Sequence, residues 1–173
     1  LQTKQLAEEE LYTLSHSAQI IERLQKEWKQ TLVQLYQASV ALHDCRQKAG
    51  EDLSRRICVQ LAELGMPHAQ FVVSFASLPG EPPEDMRPYS HNGLDRMEFL
   101  LSTNVGLPPR PLSKVVSGGE ASRIMLAIKT IAAELDDIDC LIFDEVDTGI
   151  SGQIAYTVGE KMARIARQRQ VLC

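Results

Sequence analysis

The first 64 residues contain no proline and a single glycine, Gly50. Apolar residues recur there at seven-residue spacing. One series runs Leu14, Ile21, Trp28, Leu35, Leu42, Ala49; a second, offset by three, runs Leu24, Thr31, Ala38, Cys45. These are the a and d positions of a heptad pattern, with small or polar residues weakening the d series. One helix cannot bury such a stripe alone, so a partner helix is implied. At 1.5 Å per residue, about sixty helical residues would span roughly 90 Å, too long for a compact domain of this size. The spacing therefore predicts a coiled-coil arm over residues 1–64, in preference to an amphipathic helix lying on a globular core.

Beyond that arm the pattern changes. Gly65-Met66-Pro67 ends the helix, because glycine caps it and proline cannot continue it. Ala69–Leu78 alternates toward β character through Phe71, Val73 and Phe75, and Arg96–Thr103 reads as its antiparallel partner in a β lobe over residues 69–103. A loop rich in proline and charge, Pro79–Asn92, separates the two. After a proline-rich linker, residues 113–173 read helix (118–135), strand (139–144), helix (151–168), strand (170–173). That order is an α/β pattern with a parallel sheet.

Composition excludes several classes. Apolar residues make up 44% of the 173, enough for a core, and the net charge of −5 gives no overall basic character for nucleic acid. The basic residues Arg87, Arg96, Arg110, Lys114, Arg123 and Lys129 form no cluster in sequence, so no DNA site is assigned; Arg164, Arg167 and Arg169 read as a solvated helix face. No apolar run approaches the ~20 residues of a membrane span, and the first residues are not a signal peptide. Cys45, Cys58, Cys140 and Cys173 show no metal-ligand spacing and read as reduced, mostly buried thiols of a cytosolic protein.

Two short segments carry chemistry. In Val116-Ser117-Gly118-Gly119-Glu120, two glycines follow a serine at the start of a strong helix. Glycine lets a ligand approach the backbone, and the free N–H groups and positive dipole of a helix N-terminus suit a phosphate. Ser-x-x-Glu is also a capping box, with Ser117 as N-cap and Glu120 at the third helical position. The two readings are compatible. In Cys140-Leu141-Ile142-Phe143-Asp144-Glu145, a buried apolar strand ends in two carboxylates, at the end of an α/β sheet where ligands bind. Strand alternation would send the two acids to opposite faces and allow them different tasks. Asp144 suits a hard cation such as Mg²⁺, through water; Glu145 suits a general base that polarises an attacking water. Only 24 positions separate Glu120 from Asp144, and a glycine-containing loop, Val146-Asp147-Thr148-Gly149-Ile150-Ser151-Gly152, follows at once.

This order resembles the signature, helix, Walker B strand and following loop of an ABC-type ATPase head. VSGGEASRIMLAIK followed by LIFDEVDTGISG is similar, more narrowly, to the RecN family of bacterial DNA-repair ATPases related to SMC (structural maintenance of chromosomes) proteins. The resemblance covers nearly the whole chain and is most specific over Lys114–Gly152. It implies an α/β fold: the C-terminal lobe of an ABC/SMC-type, P-loop-NTPase-like head, over residues 65–173, preceded by a long coiled-coil helix. It implies that Ser117, Gly118, Gly119 and Glu120 meet the γ-phosphate of ATP bound on an opposing head. Asp144 matches the Walker B acid that holds Mg²⁺, Glu145 the catalytic glutamate, and Asp147, Gly149 and Ser151 the D-loop at the interface of two heads. Two departures stand out. Val116 replaces the usual leucine, and Ser151 occupies a position where transporters and SMC proteins usually carry aspartate.

The same resemblance implies partners: the N-terminal half of the same head with its Walker A loop, a second head in a homodimer, an antiparallel helix for the arm, and DNA. It implies a bacterial cytoplasmic, nucleoid-associated protein in double-strand-break repair and recombination. No G-x-x-x-x-G-K-[ST] occurs within the 173 residues, so the chain alone is expected to be inactive. The first residue is not Met and the last lies in an incipient strand, which is the pattern of a segment. Another SMC-like chromosome-maintenance ATPase, an ABC transporter domain, or a non-catalytic coiled-coil adaptor with a degenerate head are the alternatives. The arm argues against the transporter, and the intact motifs argue against the adaptor.

Overall fold

A computed structural model describes residues 2–114, 118–132 and 138–173, with side chains on the first helix described at Tyr12 and from His16 onward. The chain divides into two units: residues up to Cys45 with Ser77–Asp95, and Arg46–Ala76 with Arg96–Cys173.

The first helix, α1, is Gln2–Glu63, continuous over 62 residues. Its end is a Schellman motif: the Met66 amide donates to the Leu61 carbonyl (2.9 Å) and the Gly65 amide to the Ala62 carbonyl (3.2 Å). Gly65 takes φ +82° there, a conformation that penalises any residue with a Cβ. Pro67 then prevents continuation.

In the first unit, the loop from Ser77 to Asp95 packs on α1. The Tyr36 hydroxyl donates to the Pro79 carbonyl at 2.6 Å, and His43 Nδ1 lies 2.5 Å from Asp95 Oδ1. Leu32 and Ser39 are buried beneath the loop. Positions 32, 36, 39 and 43 form one stripe, but it is not the heptad seam. Along the seam Ile21, Leu24, Trp28 and Leu42 are exposed, so the loop covers an adjacent face and leaves the a/d stripe open.

The second unit holds the core. Strands β1 (Gln70–Phe75), β2 (Met97–Ser102) and β3 (Arg110–Pro111) form an antiparallel sheet in that order, with Phe71 opposite Leu101 and Val73 opposite Phe99. Phe71 and Leu101 are fully buried, and the Phe71 and Phe99 rings pack 5.4 Å apart. The outer edge of β1 meets α1. Val73 N–H donates to Ser54 Oγ (3.2 Å) and Phe71 N–H to Cys58 Sγ (3.3 Å), which satisfies two edge amides. Gly50 completes this row: a Cβ there would lie 3.1 Å from the Phe75 ring and 3.2 Å from Val73 Cβ. Small residues at 50, 54 and 58 thus let strand and helix approach.

The α/β part of this unit comprises α2 (Gly118–Ala132), β4 (Cys140–Ile142), α3 (Gln153–Ile165) and β5 (Gln170–Leu172). β4 and β5 pair in parallel, Leu141 opposite Val171, with α3 as the crossover. Ile124, Leu126 and Ala127 of α2 share one buried cluster with Val158, Met162 and Ile165 of α3 and Ile57 and Leu61 of α1. Lys161 on α3 donates to Gln60 Oε1 and Glu63 Oε2, both at 2.5 Å, and so secures α3 to the end of α1. The strands and α3 are shorter than their sequence patterns, with a turn at 166–168 following α3, and residues 133–135 of the expected second helix lie outside the described residues. The thiols differ from expectation: Cys45, Cys140 and Cys173 are exposed and Cys58 is half-buried against β1.

Candidate functional site

The site forms where β4 leaves the sheet. The Phe143 amide still donates to the Leu172 carbonyl (2.8 Å), one residue past β4. Phe143 and Val146 are buried and act as two anchors, with Asp144 and Glu145 exposed between them. Strand alternation does not set the directions of the two acids. Glu145 takes φ +53°, the one left-handed non-glycine among the described residues, so the chain turns at that residue. Such a conformation costs roughly 1–2 kcal/mol and persists where surrounding contacts enforce it. Here the Thr148 amide donates to the Glu145 carbonyl (3.1 Å) and closes the turn.

The start of α2 lies against this turn. Gly119 is buried, and a Cβ on it would sit 3.0 Å from the Glu145 carbonyl oxygen and 3.1 Å from Thr148 Cβ. A Cβ on Gly118 would collide with Glu145 Oε2. Gly119 therefore approaches the backbone of the turn closely, whereas the Gly118 position meets only the movable end of the exposed Glu145 side chain, whose carboxylate rests beside the positive end of α2. Glu120 is half-buried in the first turn of the helix. Val116 and Ser117 lie outside the described residues, and with them the serine half of the capping box.

The loop after the turn is open. Asp147, Thr148, Gly149, Ser151 and Gly152 are exposed, with Gly149 at φ +74° and Gly152 at φ +59°. Gly152 is the N-cap of α3, and Ile150 packs on the core. Of the residues singled out in the sequence, Gly118, Gly119 and Glu145 come together directly. Asp144 is next to them in the chain, while Asp147, Gly149 and Ser151 occupy the adjoining open loop.

Two residues here carried no assignment from sequence. Ser122 Oγ donates to the Asp144 carbonyl, and Arg123 Nη1 donates to the Thr148 carbonyl at 2.8 Å. A signal for the second exists: Gly119, Arg123 and Ala127 fall at helical spacing on a buried stripe, and a charged residue there needs a partner.

The donor set fits a phosphate-bearing, Mg²⁺-dependent ligand. A helix start offers free backbone N–H groups and the positive end of its dipole to a phosphate, and an exposed carboxylate offers a hard oxygen ligand. Among the described residues no three His, Cys, Asp or Glu cluster as a metal cage; Mg²⁺ typically keeps waters and takes only one or two carboxylates. A separate open cleft of about 930 Å³ between α1, α2 and α3, lined by Arg55, Gln60, Thr130 and Arg164 among others, includes none of these residues.

No protein-family model matches the chain. Curated relatives do. It is 42% identical over 166 residues to the DNA repair protein RecN of Halalkalibacterium halodurans, covering 96% of this chain and 29% of that protein. To RecN of Treponema pallidum it is 36% identical over 174 residues, covering 100% and 30%. To RecN of Bacillus subtilis it is 36% identical over 162 residues, covering 92% and 28%. Two solved structures are also similar: the SmcHead bound to the C-winged helix domain of ScpA (TM-score 0.42, 19% identity, 72% of this chain and 34% of that one), and one from work on ATP-driven dimerization and DNA-stimulated activation of SMC ATPases (TM-score 0.40, 17% identity, 75% and 70%). Likeness at that level does not decide a fold. The element order itself is that of an α/β lobe, a parallel β4–β5 pair crossed over by α3 together with a three-stranded antiparallel sheet, preceded by a long helix. The chain belongs to the RecN family and corresponds to its C-terminal part, spanning between 24% and 30% of the length of the curated relatives it matches. No described helix is long and apolar enough to cross a membrane.

Proposed function

We propose that this chain is the signature-bearing half of an ATP-hydrolysing head that acts in DNA double-strand-break repair and recombination. The observation that carries this is the contact between Gly118 and Gly119 at the start of α2 and the turn bearing Glu145, which joins a phosphate-suited backbone to a carboxylate. In this proposal Ser117, Gly118, Gly119 and Glu120 meet the γ-phosphate of ATP bound on an opposing head. Asp144 holds Mg²⁺ through water, and the ion offsets phosphate charge when bound. Glu145 accepts the proton of the attacking water. Asp147, Gly149 and Ser151 line the interface of the two heads. The Walker A loop comes from the N-terminal half of the same head, so the 173-residue chain alone is inactive. ATP between two heads drives their dimerisation, and hydrolysis releases them. An antiparallel helix covers the seam of α1, and DNA is the substrate of the whole protein, acting at the nucleoid in the bacterial cytoplasm.

Glu145→Gln in a protein with both head halves tests the central assignment. ATP binding by equilibrium titration should be retained, while turnover falls by roughly 10²–10⁴-fold, the usual contribution of a general base. Turnover near wild type sinks the assignment. Glu145-dependent turnover by the 173-residue chain alone would remove the requirement for a second half.

A further inference from the structure

We infer that Ser122 and Arg123 are positioning residues that clamp the Asp144–Thr148 turn to α2 and so set the placement of Glu145; this rests on the general-base reading of Glu145. Arg123 is only 8% exposed, yet a guanidinium does not lose its charge in a protein. Burying it is unfavourable unless hydrogen bonds compensate. Its Nη1 bond to the Thr148 carbonyl supplies one, while Nε has no partner among the described residues. An apolar side chain would fill this stripe at lower cost if packing were its only task.

The bond is one of a pair. Ser122 holds the carbonyl of Asp144 and Arg123 the carbonyl of Thr148, so adjacent residues on α2 grip the turn at both ends. Between the two grips lies Glu145 at φ +53°, a conformation that relaxes unless it is over-determined. Gly119 lets α2 approach closely enough for both bonds to form, with its would-be Cβ at 3.0 Å from the Glu145 carbonyl oxygen. Displacing the start of α2 therefore drags the turn with it. A phosphate held at Gly118 and Gly119 and the carboxylate of Glu145 are linked through two side-chain-to-backbone bonds.

The test uses a protein with both head halves and two readouts. Amide hydrogen exchange without nucleotide reports the turn, and steady-state kinetics separates kcat from KM. Arg123→Met should speed exchange at Thr148 and Ile150 roughly tenfold, the effect of losing one charge-assisted bond, with Val158 in α3 unchanged. It should lower kcat about tenfold with KM for ATP within about twofold, because substrate binding is intact and only the base is misplaced. Arg123→Lys, which restores a charged donor, should recover part of both. Ser122→Ala should act in the same direction by roughly threefold, and Ser122→Thr should not. Unchanged exchange at Thr148 in Arg123→Met overturns the clamp. Faster exchange throughout α2 and α3 makes Arg123 a packing residue and also overturns it. Faster local exchange with wild-type kcat removes the positioning role. Glu145→Gln decides the base separately: if that variant turns over normally, the base assignment fails while the exchange result still judges the clamp.

Discussion

The two ends of α1 meet different surroundings. Around Trp28, which is 48% exposed, an apolar heptad seam faces outward; around Leu61, 0% exposed, the same helix is built into a core. Both stretches are apolar and periodic, and their patterns do not differ enough to separate them. What differs is what sits opposite. Ile57, Leu61 and Leu64 face α2, α3 and the sheet, whereas Ile21, Leu24 and Trp28 face no described partner. Helical periodicity reports that a face is to be covered, and tertiary structure reports whether it is.

The contrast can be broken by truncation. Leu61→Ala should destabilise the second unit by about 2–5 kcal/mol in chemical denaturation, because buried methyl groups and a filled volume are both lost. Leu24→Ala, at a position 51% exposed, should stay within about 0.5 kcal/mol in the same experiment on the 173-residue chain alone. Equal losses would mean that the seam is covered in solution.

A smaller effect sharpens the same comparison with glycines. Gly50→Val should cost about 1–3 kcal/mol by thermal unfolding, since β1 already lies within 3.1–3.3 Å of where a Cβ would go. Gly159→Ala on α3, where nothing lies within 4 Å, should instead stabilise by up to about 1 kcal/mol through helix propensity. A gain at Gly50 would show that the β1 edge is not docked there.

The smallest effect lies in the loop packed on α1. Arg87 donates to Asp85 through both backbone and side chain, and these bonds hold the Asp85 carboxyl below its ordinary value of 3.8. The pair is therefore intact above the usual carboxylate range and is lost only as pH falls through the lowered value. A carboxyl NMR titration should give a midpoint below 3.8 that returns toward it in Arg87→Ala. A midpoint unmoved by that substitution removes the pairing.

Local chemistry accounts for what was legible in advance. Gly65 before Pro67 stops the helix, Phe71 and Leu101 alternate as strands, and a parallel β4–β5 pair brackets α3. These follow from backbone preferences and from periodicity within one element. The docking of β1 on Gly50, Ser54 and Cys58 was not legible, because small residues on a helix do not name the strand they admit. Exposure of Cys45 and Cys140 was missed for the same reason, since a thiol's burial depends on what packs over it.

At the site the division is sharper. The residue types and their order, Gly118-Gly119-Glu120 and then Asp144-Glu145, came from the sequence alone, as did the family resemblance they carry. The placement of Glu145 did not. Strand alternation suggested one geometry, and a left-handed turn held by two residues of a different helix produced another. Sequence determined which groups are available, because that is a property of side chains and their spacing. Only tertiary structure decided where they point, because a turn at φ +53° is unfavourable by itself and exists through contacts made by residues more than twenty positions away.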